Sequence, residues 1–180
     1  MRKRSMEELN RLSVEAFKNT KKNPFVLLLD NVRSAHNVGS AFRTADAFAI
    51  EKIVLCGISA TPPNREIAKT ALGATESVVW EHWPNSEEAV ARLKADGYRI
   101  IIVEQAEGSV PLHRLNVADN EKLCFVFGNE VFGVDEKLFA LADACVEIPQ
   151  FGTKHSLNVS VSVGVVLWEC CRKLVASIES

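Results

Sequence analysis

The sequence predicts an α/β domain, a mostly parallel sheet flanked by helices. Three observations carry this. Apolar runs recur along the chain, with stretches of helical period, roughly 10–15 residues long, between them. The runs "PFVLLLDN" (24–31) and "KIVLCG" (52–57) are apolar almost throughout rather than alternating, as in strands buried on both faces. With 180 residues the chain suits one domain with a genuine core.

Residues 6–19 read as a first helix, with Leu9, Leu12, Ala16 and Phe17 on one side. Residues 1–23 thus form a basic N-terminal helix ahead of a core spanning 24–180, all within a single domain, 1–180. After the first strand, "HNVGSAFRTADAF" reads as a helix, then "KIVLCG" as the second buried strand. "ATPPN" is a loop, "REIAKTAL" a short helix and "ESVVWEHW" a strand. "SEEAVARLKADG" is a helix capped by Ser86 and closed by Gly97. "YRIIIVEQ" and "KLCFVFG" follow as strands, "VDEKLFALA" as a helix and "ACVEIP" as the last strand. "NVSVSVGVVL" alternates strictly from Asn158 to Val165, the period of a half-buried strand. Over a longer window, Val159, Val163, Val166, Leu167, Cys170 and Leu174 form one helical stripe, which predicts a helix from about Asn158 to Ala176. Ser160 and Gly164 lie on a neighbouring line, small enough for close packing against the sheet or a partner subunit.

Composition excludes several classes. The hydrophobic fraction of 47% and mean hydropathy of +0.04 are those of an ordinary soluble protein. No apolar run approaches the roughly 20 residues that span a bilayer, and the basic N-terminus lacks a signal-peptide core. A cytoplasmic protein with no membrane contact is expected. The five cysteines and four histidines show no metal-ligand spacing, so buried reduced thiols are expected and no metal. Net charge is only −2, yet residues 1–22 hold seven Lys or Arg against three Glu. That excess fits a solvated terminal helix or a basic edge that meets phosphates.

Ligands of parallel sheets bind beyond the strand carboxyl ends, and three segments there carry candidate chemistry. "DNVRSAHNVGSAFRTADAF" contains neither phosphate-loop pattern, Walker or GxGxxG. In it Asn37 is placed to cap the following helix. Arg43, flanked by Ala41, Phe42, Ala45 and Ala47, has a fork suited to a phosphate or carboxylate. "CFVFGNEVFGV" ends a strand in Gly128, Asn129 and Glu130, where glycine permits close approach to a ligand and asparagine also suits a plain turn. "IPQFGTKHSLNVSV" sets Ser156 and Asn158 before a helix, where both are ordinary caps and where free backbone N–H groups face a ligand.

Together and in this order, "NVGSAFRTADA", "FVFGNEVFGV" and "IPQFGTKHSLNVSVSVG" resemble the three signature motifs of the SpoU (TrmH-type) RNA ribose 2′-O-methyltransferases of the SPOUT superfamily. The resemblance covers about residues 25–175. It implies an α/β fold with a C-terminal deep trefoil knot, S-adenosylmethionine as methyl donor without a metal, and a homodimer whose active site is completed across the interface. Residue by residue it assigns catalytic roles to Asn37, Arg43, Glu130, Ser156 and Asn158. The donor pocket falls on Gly128, Asn129, Ile148 and Leu157, completed by Glu104 or Gln105. Gln150 replaces a common Met, and Phe151 also varies, without touching a catalytic match.

The implied substrate is tRNA or rRNA, with tRNA favoured as for single-domain relatives. Only about 24 residues precede the first strand and the chain ends with its last helix, so RNA is expected to be held by this domain. The Arg2 to Lys22 cluster, Arg33, Arg65 and Lys69 are the candidates, with Arg43 on phosphate. Binding is then salt-sensitive. The competing readings are a non-catalytic RNA-binding knot protein and a nucleotide-binding α/β protein of another kind.

Overall fold

The computed structural model describes residues 1–5 and 7–178, with side chains up to residue 172. The chain opens on a 3₁₀ turn at Glu7–Leu9 and a short helix, α1 (Val14–Asn19), instead of one helix over 6–19. Residue 6, the first of that predicted helix, lies outside the described residues. Ser13 starts α1 afresh, its hydroxyl accepting from the Ala16 amide at 3.2 Å, and Leu9 and Leu12 stay exposed. A helix this short needs tertiary packing, and its first half finds none for its leucines.

The elements then alternate: β1 (Asn23–Asp30), α2 (Ala35–Ala47), β2 (Ile50–Cys56), α3 (Arg65–Ala71), α4 (Ala74–Ser77), β3 (Val79–Trp83) and α5 (Ser86–Ala95). After them come β4 (Arg99–Val103), β5 (Val110–Pro111), β6 (Leu123–Phe127), α6 (Glu136–Phe139), β7 (Ala144–Glu147) and α7 (Val159–Ile178). Four further predictions need correction. Helix α4 takes the start of the strand predicted from residue 76, α6 is one turn instead of nine residues, and two caps differ. Ser34, not Asn37, caps α2, and Asn85, not Ser86, caps α5. In both helices a tertiary partner draws the expected cap away: Ser86 donates to the buried Asp30 carboxylate, and Asn37 turns to Glu130.

All seven strands pair in parallel, in the order β3-β2-β1-β6-β4-β7-β5. The register lines up one apolar row across the sheet, Ile53–Leu27–Phe125–Ile101. That row faces α2, α3 and α7. One residue on, Val54, Leu28, Val126 and Ile102 face α5 and α6. Central strands covered on both sides explain the continuous apolar runs. Late strands enter between early ones, β6 between β1 and β4 and β7 between β4 and β5, so the segments leaving β4, β6 and β7 converge.

Helix α7 confirms the longer-window reading. Val163, Val166, Leu167 and Cys170 are fully buried on the sheet side; the side chain of Leu174 lies outside the described residues. Val161, Val165 and Trp168 repeat on the opposite side and are exposed. Gly164 faces open space rather than the sheet, since a Cβ there would meet nothing within 4 Å. The close approach falls instead between α2 and α3, where a Cβ on Gly39 would lie 2.4 Å from the Ile67 carbonyl oxygen. None of the five cysteines is in a disulfide; three are buried and two half-buried. Burial pushes the Cys56 thiol up to about 12 and Cys171 to about 11, so neither is a nucleophile near neutral pH. No described helix is long and apolar enough to cross a membrane.

Candidate active site

A cleft of about 810 Å³ opens where β4, β6 and β7 end and α7 begins. Its walls include Glu104 and Gln105 after β4, Gly128 to Val134 after β6, Ile148 after β7, and Ser156 to Val159. This is the carboxyl edge of the sheet, as strand topology requires. Gly128 has no room for a side chain: a Cβ there would lie 2.1 Å from the Gly133 carbonyl carbon and 2.2 Å from the Val134 amide. Glycine therefore lets the turn fold back on its own strand end.

Beside the cleft the three sequence motifs meet in one chain of hydrogen bonds. Asn158 Nδ2 donates to Asn37 Oδ1 at 3.1 Å, and Asn37 Nδ2 donates to Glu130 Oε1 at 2.9 Å. Glu130 also accepts from the Arg33 and Ser34 amides at 2.9 and 3.0 Å, just before α2. Burial alone would raise the Glu130 carboxyl, but these donors outweigh it and hold it below the usual glutamate range. Asn158 meanwhile accepts from the Ser160 amide at 2.9 Å, which caps α7 and fixes its own rotamer. Capping and site-building are thus one role for Asn158.

Of the other expected site residues, Ser156, Leu157, Gln105 and Ile148 line the cleft, and Gln105 ties its wall to the His155 carbonyl. Glu104 lines it too, accepting from the Gln105 amide at 2.9 Å. Asn129 lines the cleft, but its side chain is engaged within the protein. Its Nδ2 donates to the Asn31 carbonyl at 2.8 Å, and its Oδ1 accepts from the Val131 and Phe132 amides at 2.8 and 3.2 Å.

The basic residues stand apart from this network. Arg43 is exposed and makes no hydrogen bond or ion pair among the described residues. Six residues beyond Asn37 on α2, it lies about 120° around the helix and about 9 Å along it, on a different face from the side chain that meets Glu130 and Asn158. Arg33 and Arg65 are exposed, their guanidinium groups without a partner among the described residues. Lys69 is bonded to Glu66 at 2.6 Å, and Glu66 also meets His36 at 2.6 Å.

Sequence reasoning missed two acidic members of the wall, Glu136 and Glu147. The signal for Glu147 was its place at the end of β7; Glu136 gave none, because α6 was read as a longer helix. With Glu104 and Glu130 they give the cleft four carboxylates, and among the described residues no Lys or Arg lines it. Such walls repel a polyphosphate and suit a cationic ligand with polar groups. Among the described residues no three His, Cys, Asp or Glu side chains gather as a metal-binding group.

A parallel sheet whose cleft is built from three strand ends and a helix N-terminus defines the class: the fold matches the α/β-knot architecture of solved SPOUT structures. The chain belongs to the SpoU rRNA Methylase family, which it matches over residues 24–168. It is 33% identical over 165 residues to the 23S rRNA (guanosine-2'-O-)-methyltransferase RlmB of Neisseria meningitidis serogroup B, covering 92% of this chain and 65% of that protein. It is 29% identical over 170 residues to the tRNA (guanosine(18)-2'-O)-methyltransferase of Thermus thermophilus, covering 94% and 86%. The AdoMet-bound rRNA methyltransferase of Sinorhizobium meliloti superposes with a TM-score of 0.79 at 28% identity, covering 88% of this chain and 60% of that one. The chain therefore spans less than two thirds of the Neisseria and Sinorhizobium proteins.

Proposed function

We propose that this protein is an S-adenosylmethionine-dependent RNA methyltransferase acting on a ribose 2′-hydroxyl, with tRNA the favoured substrate over rRNA. The observation that carries it is the Asn158–Asn37–Glu130 chain, drawn from three separate motifs onto the rim of an acidic cleft. The walls fit the donor: four carboxylates favour its cationic sulfonium and ammonium groups, and the backbone bends at Gly128 and Ile148 offer amides and carbonyls. S-adenosylmethionine supplies a methyl group on a good leaving group. As the O–C bond forms and the S–C bond breaks, the residues of this chain have to hold the ribose hydroxyl in line with that methyl group while its proton passes to water. Asn37 and Asn158 offer amide groups for orientation, and the N-terminus of α7 favours negative charge. Glu130, already accepting three hydrogen bonds, acts as an anchor for this array rather than as a base.

Arg43 completes the site from a second copy of the chain in this proposal. Helix α7 is apolar on two opposite sides, and its outer stripe, Val161, Val165 and Trp168, asks for a cover. A homodimer through α7 supplies one. RNA then lies along Arg33, Arg65 and the basic residues of the first 22, with Lys69 secondary because Glu66 neutralises it. A cytoplasmic location fits five cysteines held outside disulfides. Alignment at 29% identity over 86% of the Thermus tRNA enzyme is what supports the tRNA preference.

Calorimetry with S-adenosylmethionine, followed by labelled methyl transfer to unfractionated tRNA and to rRNA, tests the proposal. Binding and transfer to ribose are expected, tRNA being the better acceptor. Arg43→Ala should keep cofactor affinity and lose roughly 100-fold or more in transfer. Absence of cofactor binding sinks the proposal. Binding of cofactor and RNA without transfer would mark a non-catalytic relative instead.

A further inference from the structure

The turn after β6 carries an aromatic side chain that the steps above leave without a task. Phe132 is 86% exposed, although phenylalanine is among the residues most often buried. The backbone beneath it is fixed. Its own amide donates to Asn129 Oδ1, and Asn129 and Gly133 exchange backbone hydrogen bonds at 2.9 Å in both directions. Asn129 is in turn held to the end of β1, and Glu130, in the same turn, to the start of α2. A ring on so fixed a base loses little further freedom when a flat ligand settles on it.

Its position limits what that ligand is. Phe132 lines the cleft, in the turn that also carries Glu130. The carboxylates of the wall turn phosphates outward, towards the guanidinium of Arg33, whose amide binds Glu130. What remains for the rim is the flat, uncharged part of a nucleotide. RNA recognised at unpaired sites offers its bases to aromatic side chains, and such stacking tolerates any base. Resting on the methyltransferase reading, we infer that Phe132 is the stacking platform for the base of the nucleotide whose ribose is methylated. It is a positioning residue for the RNA, independent of the methyl donor.

Kinetics of methyl transfer to unfractionated bacterial tRNA and to rRNA, for wild type, Phe132→Ala and Phe132→Tyr, test this. Phe132→Ala is expected to raise the apparent KM for RNA roughly 5- to 150-fold, the loss of one base–aromatic stack. The calorimetric Kd for S-adenosylmethionine and the sedimentation mass stay unchanged, and Phe132→Tyr, which keeps the ring, restores the wild-type KM. An unchanged KM in the alanine variant overturns the inference. So does weaker cofactor binding, which would set the ring on the cofactor's adenine, or an altered mass, which would set it in a subunit interface. If the wild type transfers no methyl to either RNA, the methyltransferase reading itself has failed and this inference falls with it.

Discussion

Glu130 collects the Arg33 and Ser34 amides and the Asn37 side chain on one exposed carboxylate. Each bond alone is a modest contribution at a wet surface. Their joint effect is geometric, because they tie the turn after β6 to the start of α2 and thereby set Asn37 against Asn158. Glu130→Gln keeps the size but replaces one acceptor oxygen with a donor that faces the donors already there. The expected result is a fall in kcat of about 10- to 100-fold, the scale of a small misplacement at a reacting centre, with the calorimetric affinity for S-adenosylmethionine unchanged. An equal loss of cofactor affinity would make Glu130 part of the donor pocket instead. The same carboxylate has a pH signature. Since its folded pKa is depressed, its contribution to stability is present above about pH 4.3, the unfolded value, and is lost as pH falls through the folded one. Thermal melts between pH 3 and pH 7 should therefore show wild type losing more stability on acidification than Glu130→Gln; parallel curves would contradict this.

Between elements the decisive contacts are close ones, and Gly39 marks one between α2 and α3. Its missing Cβ leaves α2 room against α3, with the Thr70 hydroxyl and the Ile67 carbonyl both closer than 2.5 Å to where a Cβ would stand. Thr70 can rotate away, but the Ile67 carbonyl is backbone. Gly39→Ala is expected to cost roughly 1–3 kcal/mol by overpacking, and the melting temperature should drop by about 2–4 °C for each of these. A melt at or above wild type would mean that α3 can slide, and the helix pair would then be softer than its spacing implies. The central strands were legible in the sequence because both of their faces are buried, so Leu27, Leu28, Phe125 and Val126 are apolar without a break. Helix ends were less legible. "SAHN" and "PNSEE" each offer two good caps, and the choice falls to whichever side chain no distant partner has claimed: Ser34, because Asn37 is held by Glu130 and Asn158, and Asn85, because Ser86 is held by Asp30. Long-range bonds of this kind leave no local trace. The candidate residues of the three motifs could be found through family resemblance, whereas the turn bonds that engage the Asn129 side chain needed coordinates.

For the whole molecule, the role proposed for Arg43 depends on assembly. Within one chain it sits about 120° around α2 from Asn37, unpaired among the described residues, while α7, packed beside α2, shows solvent a second apolar stripe through Val161, Val165 and Trp168. Both features are explained at once if two copies join through α7 and each lends Arg43 to the other's Asn37–Glu130–Asn158 chain. Mixing two inactive variants distinguishes this from a site contained in one chain. Arg43→Ala and Asn37→Ala should each be inactive alone and each remain dimeric by sedimentation. Unfolded together and refolded as a mixture, random pairing makes half the dimers mixed, and each mixed dimer holds one site with both residues intact. About one quarter of wild-type transfer is then expected to return, from the symmetry of a two-fold assembly. If Arg43 served its own chain, every subunit in the mixture would still lack one residue and no activity would return. Val165→Asp supplies the complementary arm: a charge in the middle of the outer stripe should yield a monomer that still binds S-adenosylmethionine, because the cleft is built within one chain, but transfers no methyl group. A monomer that transfers at the wild-type rate would overturn the shared site.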